Sequence, residues 1–203
     1  MKMIYLIIIA VLALAILSCT AHNRDTNQES QPLLTLTQEL SGGSEQALGE
    51  LQLFLSNRQE YFNRFEDELY QRGIESSEEV SPEVALVDAL VRTKMLVYQD
   101  HSSDPADTLV WLNELSEGSL GQSVCYKELE KHYSETEYGL SAFLEAPGYG
   151  PSLFDCISGI GYKLLAINED SDAYALILVA EEKVPNVTKL ARDADIPLYF
   201  ANK

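Results

Sequence analysis

Basic residues are scarce in this chain of 203 residues. Lysine and arginine together number 14, against 32 aspartates and glutamates, and the formal net charge is −18. Proteins that bind nucleic acid or bare anionic lipid need patches of lysine and arginine that neutralise phosphates. The composition therefore disfavours nucleic acid as a partner. It favours a cationic partner, loosely held divalent cations or simply a well-solvated acidic surface.

Cysteine is also rare, and motifs for common catalytic or cofactor sites are missing. The chain has three cysteines, and neither Cys125 nor Cys156 has a second ligand at the spacing of a zinc site. No serine lies in a nucleophile elbow, and segment 159–161 (Gly-Ile-Gly) is too short for a phosphate-binding loop. We therefore expect no cofactor, and the sequence identifies no enzymatic activity.

Long apolar runs are absent beyond the N-terminal region. There, Ile4–Leu17 contains 14 residues without a charge, shortly after Lys2. This length suits a secretion signal and falls short of the roughly 20 residues that span a membrane as a helix. The run leads directly into Cys19, and segment 16–19 (Ile-Leu-Ser-Cys) resembles the lipobox of bacterial lipoproteins.

The resemblance to the lipobox implies that residues 1–18 are a signal peptide and that Cys19 becomes a lipidated N-terminus. Several acyl chains would make the attachment permanent, because each buried CH₂ contributes about 0.8 kcal/mol. Thr20 stands where an aspartate often retains lipoproteins in the inner membrane, so the resemblance implies the outer membrane, facing the periplasm. The alternatives are a Gram-positive surface lipoprotein, a plain signal peptide, or an uncleaved anchor.

The remaining chain divides into a tether and a domain. Residues 19–43 are polar and predict a flexible tether behind the lipidated Cys19, in which the apolar patch 33–36 either docks on the domain or starts a short helix. Residues 44–203 predict a single acidic domain, since a hydrophobic content of 46% is ordinary for a globular protein. Removing residues 1–18 takes away Lys2 and no acid, so the mature charge becomes −19.

Two cysteines remain after lipidation, and their state depends on the compartment. An exported chain meets oxidising conditions, in which Cys125 and Cys156 can form a disulfide. The alternative is two small buried thiols, because cysteine packs like a compact apolar residue. The sequence leaves both alternatives open.

Helix signals recur along the domain. Ser81-Pro82 and Asp104-Pro105 each predict an N-cap followed by the first residue of a helix, and Asn57 marks a bend or break in a longer helical segment. The predicted helices cover roughly residues 45–72, 82–91, 105–117, 124–133, 153–157 and 185–194.

Strand signals predict an α+β fold, with a mixed sheet of about four strands packed against several helices. The second and third strands are joined by a polar loop of hairpin length, residues 169–172. A helix follows the third strand, which implies a right-handed crossover if the third and fourth strands are parallel neighbours. The predicted strands are 95–98, 162–167, 173–179 and 197–200.

Several short motifs follow one another along the domain in an order that resembles a known family. They are 67–69 (Asp-Glu-Leu), 72–74 (Arg-Gly-Ile), 85–90 (Ala-Leu-Val-Asp-Ala-Leu), 164–167 (Leu-Leu-Ala-Ile) and 171–174 (Ser-Asp-Ala-Tyr). Together with a strand that ends at Asp100, this order resembles an uncharacterised bacterial family with a domain of unknown function. The resemblance covers roughly residues 50–200 and implies a domain boundary but no activity. It departs from the family pattern after Asp100, where His101-Ser102 replaces an aromatic and a basic residue.

A polar cluster follows the first predicted strand. Asp100, His101 and Asp104, with Asp107, are residue types that ligate a divalent metal or form an acid–base pair. The competing interpretation, which we favour, makes Asp104 a helix cap, places Asp107 in the first turn and leaves His101 exposed. Segment 169–172 lacks the glycine and distal glutamate of an EF-hand, which favours a solvated hairpin tip.

These observations predict a lipid-anchored envelope protein. We expect its domain to be a non-enzymatic binding or interaction module with a protein or envelope partner. One alternative is an anchored metal-assisted hydrolase that uses Asp100, His101 and Asp104. Another is an immunity-type inhibitor whose acidic face blocks a basic partner.

Overall fold

The computed structural model describes residues 30–134 and 152–200, so Cys19 and residues 1–18 lie outside the described part. No helix within the described ranges is long and apolar enough to cross a bilayer. The strands are β1 (Val97–Asp100), β2 (Tyr162–Ile167), β3 (Ala173–Ala180) and β4 (Leu198–Phe200). The helices are α1 (residues 30–40), α2 (Glu45–Ser56), α3 (Arg58–Arg64), α4 (Glu66–Gln71), α5 (Pro82–Arg92), α6 (Pro105–Leu115), α7 (Ser119–Gln122), α8 (Val124–Ser134), α9 (Leu153–Gly159) and α10 (Val184–Asp193).

The four strands form one antiparallel sheet in the order β1-β3-β2-β4. This confirms the α+β class and the number of strands, whereas the expectation of a mixed sheet is wrong. β2 and β3 form the predicted hairpin, with Leu165 opposite Ile177. After β3 the chain passes through α10, and β4 then pairs with β2, so β3 and β4 run parallel but are separated by β2.

The sheet carries a hydrophobic cluster on each face. Side chains alternate along a strand, so Leu164 and Leu165 of β2 enter different clusters. One cluster joins Leu165 to helices α1, α2, α3, α4, α5 and α10, and the other joins Leu164 to α6, α7, α8 and α9. Helices thus cover both faces of the described sheet.

Helix α1 corrects the predicted extent of the tether. Leu33, Leu36 and Leu40 are spaced three and four residues apart, and their side chains are buried in the same cluster as α2 and α5. Residues 30–40 therefore belong to the folded domain rather than to a flexible segment that reaches residue 43. The apolar patch 33–36 thus docks on the domain, which is one of the two alternatives that the sequence left open.

Local capping residues set the boundaries of several helices. The Ser81 side chain accepts a hydrogen bond from the Val84 N–H, with Pro82 as the first helical residue, as the sequence predicted. Asn57 ends α2, and its side chain then caps α3 by accepting from the Glu60 N–H, which confirms the predicted break. A second break at Phe65, between α3 and α4, was not predicted.

Candidate functional site

An apolar groove of about 540 Å³ runs along strand β1. Within the described part of the chain, β1 pairs only with β3 and therefore forms an edge of the sheet. Val91 of α5 lines the groove from one helical layer, and Trp111 and Leu115 of α6 line it from the other. The groove thus lies where the two helical layers flank the open edge of the sheet.

The side chains at this groove are unusually apolar for a surface. Val91 is 38% exposed and Trp111 is 45% exposed, and the neighbouring Met95 and Val110 are also exposed. Exposed apolar side chains that line one groove, as Val91 and Trp111 do, mark interaction sites more often than isolated ones do. Within residues 30–134 and 152–200, the groove therefore forms a concave apolar surface with partly exposed side chains.

Acidic residues lie at one end of the groove and along its α6 side. Residues 95–126, which include β1 and α6, contain five aspartates and glutamates and no lysine or arginine. Glu114 lies in the lining itself, and Asp100 ends β1. Lys94, which precedes β1, is the one basic residue among the described residues that line the groove. The groove therefore combines an apolar interior with an acidic border.

The polar cluster predicted after β1 separates into local roles. The Oδ1 atom of Asp100 accepts hydrogen bonds from the backbone and hydroxyl of Ser102, which lower the pKa of Asp100. His101 is exposed, with its Nδ1 atom 3.3 Å from Asp100. Asp104 caps α6 by accepting from the Ala106 N–H. In residues 30–134 and 152–200, no group of His, Cys, Asp and Glu side chains has the arrangement of a metal site.

A buried ion-pair network lies on the α5 face of the sheet, behind β1. Arg72 donates a hydrogen bond to Asp88 of α5, and its Nη2 atom lies 2.6 Å from Glu169 Oε2 in the β2–β3 loop. The Arg72 guanidinium also stacks on the ring of Tyr98, 4.7 Å from its centroid. The side chains of Asp88 and Glu169 are only 9% and 2% exposed. One arginine thus joins a helix, a strand and a hairpin loop.

Burial dominates the electrostatics of this network. Burial raises the pKa of both Asp88 and Glu169, and the charge of Arg72 opposes the shift. Burial alone would lower the pKa of Arg72, but the two carboxylates raise it above its usual range. Burial also raises the pKa of Tyr98, and Glu169 adds to this effect while a hydrogen bond with Ser171 opposes it.

The hydrogen bonding of the network is incomplete. Arg72 Nε, Asp88 Oδ2 and Glu169 Oε1 are buried and have no hydrogen-bond partner among the described residues. Leaving such atoms unpaired costs free energy, and a buried ion pair contributes to stability only when its geometry and hydrogen bonding are good. We therefore infer that the network has a structural role and fixes the position of Tyr98 and β1, and we do not interpret it as a reactive centre.

A second arginine fixes the helices beside α5. The Nε atom of Arg92 lies 2.8 Å from Glu50 of α2, and its Nη1 atom lies 2.5 Å from Glu68 of α4. Its Nη2 atom donates to the buried hydroxyl of Tyr61, and the guanidinium lies 3.8 Å from the centroid of Phe65. Burial raises the pKa of Tyr61 well above its usual range, so this hydroxyl stays protonated. The C-terminal end of α5, which borders the groove, is thereby held against α2 and α4.

A disulfide joins the two helices that flank the other cluster. Cys125 of α8 is bonded to Cys156 of α9, with the Cα atoms 5.4 Å apart. Cys156 is buried, and Cys125 packs against the same cluster as α6. The disulfide closes a chain segment with a sequence separation of 31. It holds together the helices that support the α6 wall of the groove.

Sequence reasoning missed both arginine networks and the groove. We predicted a solvated hairpin tip at 169–172, yet the Glu169 side chain is buried against Arg72, 97 positions away in the chain. No local pattern links residues this far apart. Trp111 is exposed at the groove, although the next residue of the same helix, Leu112, is buried. The edge position of β1 depends on strand order, which the sequence did not show.

The described residues define an α+β protein with an antiparallel sheet that has helices on both faces and an apolar groove along the edge strand β1. The chain belongs to the family described as a domain of unknown function (DUF6630), whose model matches residues 32–201. This match confirms the resemblance to an unknown-function family and extends it to residues in α1. No curated protein and no solved structure matches the chain.

Proposed function

We propose that this protein is a lipid-anchored envelope protein whose domain is a non-enzymatic binding module. Its binding surface is the groove along β1. The observation that carries this proposal is the exposed apolar lining, with Val91 and Trp111 on opposite sides of an open sheet edge. Concave apolar surfaces with a few polar groups at their border are the usual form of a binding site.

The anchor part of the proposal depends on Cys19 and its position directly after the N-terminal apolar run. We expect Cys19→Ala to move the protein from the membrane pellet to the soluble fraction and to abolish incorporation of a labelled fatty acid. Thr20→Ala is the matched control, because it changes the adjacent residue and keeps the lipid attachment site. Unchanged sedimentation of Cys19→Ala would refute the anchor.

The binding part of the proposal is tested by photo-crosslinking in intact cells. A photoreactive phenylalanine at position 111 lies in the groove, and the same residue at position 70 is the control. Trp111 and Tyr70 are similarly exposed, at 45% and 49%, but only Trp111 lines the groove. We expect a discrete adduct from position 111 that is absent from position 70. Equal labelling from both positions, or none from position 111, would contradict a binding role for the groove.

A second pair of variants asks whether an adduct depends on the apolar lining. Val91→Glu places a charge in the groove, whereas Val124→Glu places it on an exposed valine outside the lining. We expect Val91→Glu to reduce the adduct at least about tenfold, which corresponds to about 1.4 kcal/mol of binding free energy. Val124→Glu should leave the adduct unchanged.

The acidic border also fits the immunity-type inhibitor, in which the partner would be a basic protein. The metal-assisted hydrolase gains no comparable observation, because Asp104 caps α6 and Asp100 is hydrogen-bonded to Ser102. We therefore place the binding module first and treat the inhibitor as one form of it.

A further inference from the structure

The backbone of β1 offers hydrogen-bonding groups on the side that faces away from β3. In an antiparallel pair, successive residues of a strand point their N–H and C=O groups alternately toward and away from the partner strand. β1 contains four residues, Val97–Asp100, and among the described elements its pairing partner is β3 alone. Half of its backbone groups therefore face the groove, where they form a template for another strand.

The walls of the groove match the two faces of such a strand. Tyr98 packs with the α5 cluster and Val97 with the α6 cluster, so the edge of β1 separates the two helical layers. Val91 and Trp111 continue these layers beyond β1, because both line the groove. An added strand would lie about 4.8 Å from β1 and would direct alternate side chains toward Val91 and toward Trp111.

Rigid support behind β1 favours this mode of binding. Arg72 holds Tyr98 from behind through its stacking contact and its ion pairs with Asp88 and Glu169. Arg92 holds the end of α5, which includes Val91, against α2 and α4. A template that is already ordered loses less conformational entropy on binding than one that must be ordered by its ligand.

The charges at the groove indicate which chains fit. The acidic border consists of Glu114 in the lining, Asp100 at the end of β1 and Asp107, one helical turn before Trp111, and it attracts lysine and arginine. A second copy of this chain fits poorly, because each copy has a formal net charge of −18 and would bring a similar border to the contact. Lys94 lies at the opposite end of β1 from Asp100, so the basic end of a bound segment would lie near Asp100.

We propose that the groove binds an extended segment of a basic protein as an additional strand beside β1. The segment would span about four residues, or about 13 Å, with apolar side chains at alternate positions and lysine or arginine near the Asp100 end. Backbone hydrogen bonds contribute affinity for any extended segment, whatever its sequence. The apolar walls and the acidic border favour segments with the matching side chains. This inference rests on the proposed binding function and specifies its partner class and geometry.

Selection from a displayed library of short random peptides tests this inference on the whole chain purified in detergent. Val91→Glu serves for counter-selection and Val124→Glu as the control target. We expect enriched peptides with alternating apolar residues and a basic end. Enrichment of acidic or helically spaced peptides, or failure to enrich any peptide that Val91→Glu rejects, would overturn the inference.

The enriched peptide then reveals whether it binds as a strand. N-methylation removes a backbone donor without changing the side chain, so methyl groups on one alternate set of residues should weaken binding at least tenfold. Methyl groups on the other set should have a smaller effect, because those donors face away from β1. Equal effects of both sets would refute strand addition, and groove-dependent dimers in light scattering would show that a second copy occupies the edge.

The two proposals fail in different ways. If the adduct at position 111 is sensitive to Val91→Glu but no peptide shows alternating methylation effects, the groove binds a partner in another geometry. If position 111 yields no adduct in cells, the proposed function fails even where peptides bind in vitro.

Discussion

Replacing Arg72 by methionine removes the only cation that contacts both Asp88 and Glu169 among the described residues. Methionine retains the unbranched stem of arginine without the guanidinium, so the change deletes the charge, the hydrogen bonds and the stacking contact with Tyr98. The two carboxylates would remain in a site where their side chains are 9% and 2% exposed. Breaking a buried ion pair in this way typically costs about 3–5 kcal/mol. We expect a loss in that range at pH 7.

This loss should depend on pH with a defined sign. Burial already raises the folded-state pKa of Asp88 and Glu169 above their unfolded values, and loss of Arg72 raises both further. For such groups, the folded state binds protons more tightly than the unfolded state, so stability increases as the pH falls through the raised pKa. The deficit of Arg72→Met should therefore be smaller at pH 5 than at pH 7.

Urea unfolding at the two pH values, followed by Trp111 fluorescence and circular dichroism, measures both effects. In thermal unfolding the expected loss corresponds to about 10 °C, since 1 kcal/mol shifts the melting temperature of a domain this large by about 2–4 °C. Arg64→Met is the matched control, because Arg64 is exposed, and it should cost less than about 0.5 kcal/mol. Adding Asp88→Asn and Glu169→Gln to Arg72→Met should recover much of the loss.

Two results would refute the reasoning. A loss below about 1 kcal/mol for Arg72→Met at pH 7 would mean that the carboxylates are not effectively buried. An equal loss at pH 5 and pH 7 would mean that the penalty comes from packing or from the Tyr98 stacking contact rather than from buried charge.

Three further changes have defined outcomes. Cys125→Ser opens the disulfide to Cys156 and should cost about 3.5 kcal/mol in urea unfolding, as expected for a closed segment with a sequence separation of 31. Asp100→Ala combined with His101→Ala should weaken photo-crosslinking from the groove by no more than about fivefold, because neither side chain lines it and Asp100 contributes one exposed charge to its border. Ser81→Ala removes the side-chain cap of α5 and should cost about 1 kcal/mol in thermal unfolding.

Each of these changes has its own check. Free thiols in mass mapping of the protein kept under oxidising conditions would contradict the disulfide, and Cys156→Ser should match the loss seen for Cys125→Ser. Loss of phenotype in the Asp100 and His101 double variant, with normal stability, would favour the metal-assisted hydrolase. Ser81→Gly should restore most of the stability lost in Ser81→Ala, because glycine is tolerated at an N-cap.

The elements that the sequence predicted correctly depend on short-range chemistry. Ser81-Pro82 and Asp104-Pro105 mark helix starts because a side-chain oxygen and a proline act within one turn. The β2–β3 hairpin is equally local, since a short polar loop joins two apolar runs. Such signals do not depend on the rest of the fold.

The features that escaped prediction are set by distant parts of the chain. Because β4 pairs with β2, the sheet is antiparallel throughout and β1 lies at an edge. No residue near β1 indicates this strand order. Glu169 is buried because Arg72 lies opposite, although its neighbours are polar. In α1, four leucines among polar residues form too weak a pattern to separate a docked helix from a tether.

In the proposed lipid-anchored form, helix α1 also limits how far the domain can move from the bilayer. If Cys19 carries the lipid, the chain between Cys19 and residue 30 spans at most about 40 Å even when fully extended, whereas a tether that ended at residue 44 would reach about 90 Å. The groove would then sample only a thin layer next to its own membrane. The groove would encounter extended segments close to the membrane at high local concentration. Proteins farther from the membrane would have to approach it before they could bind.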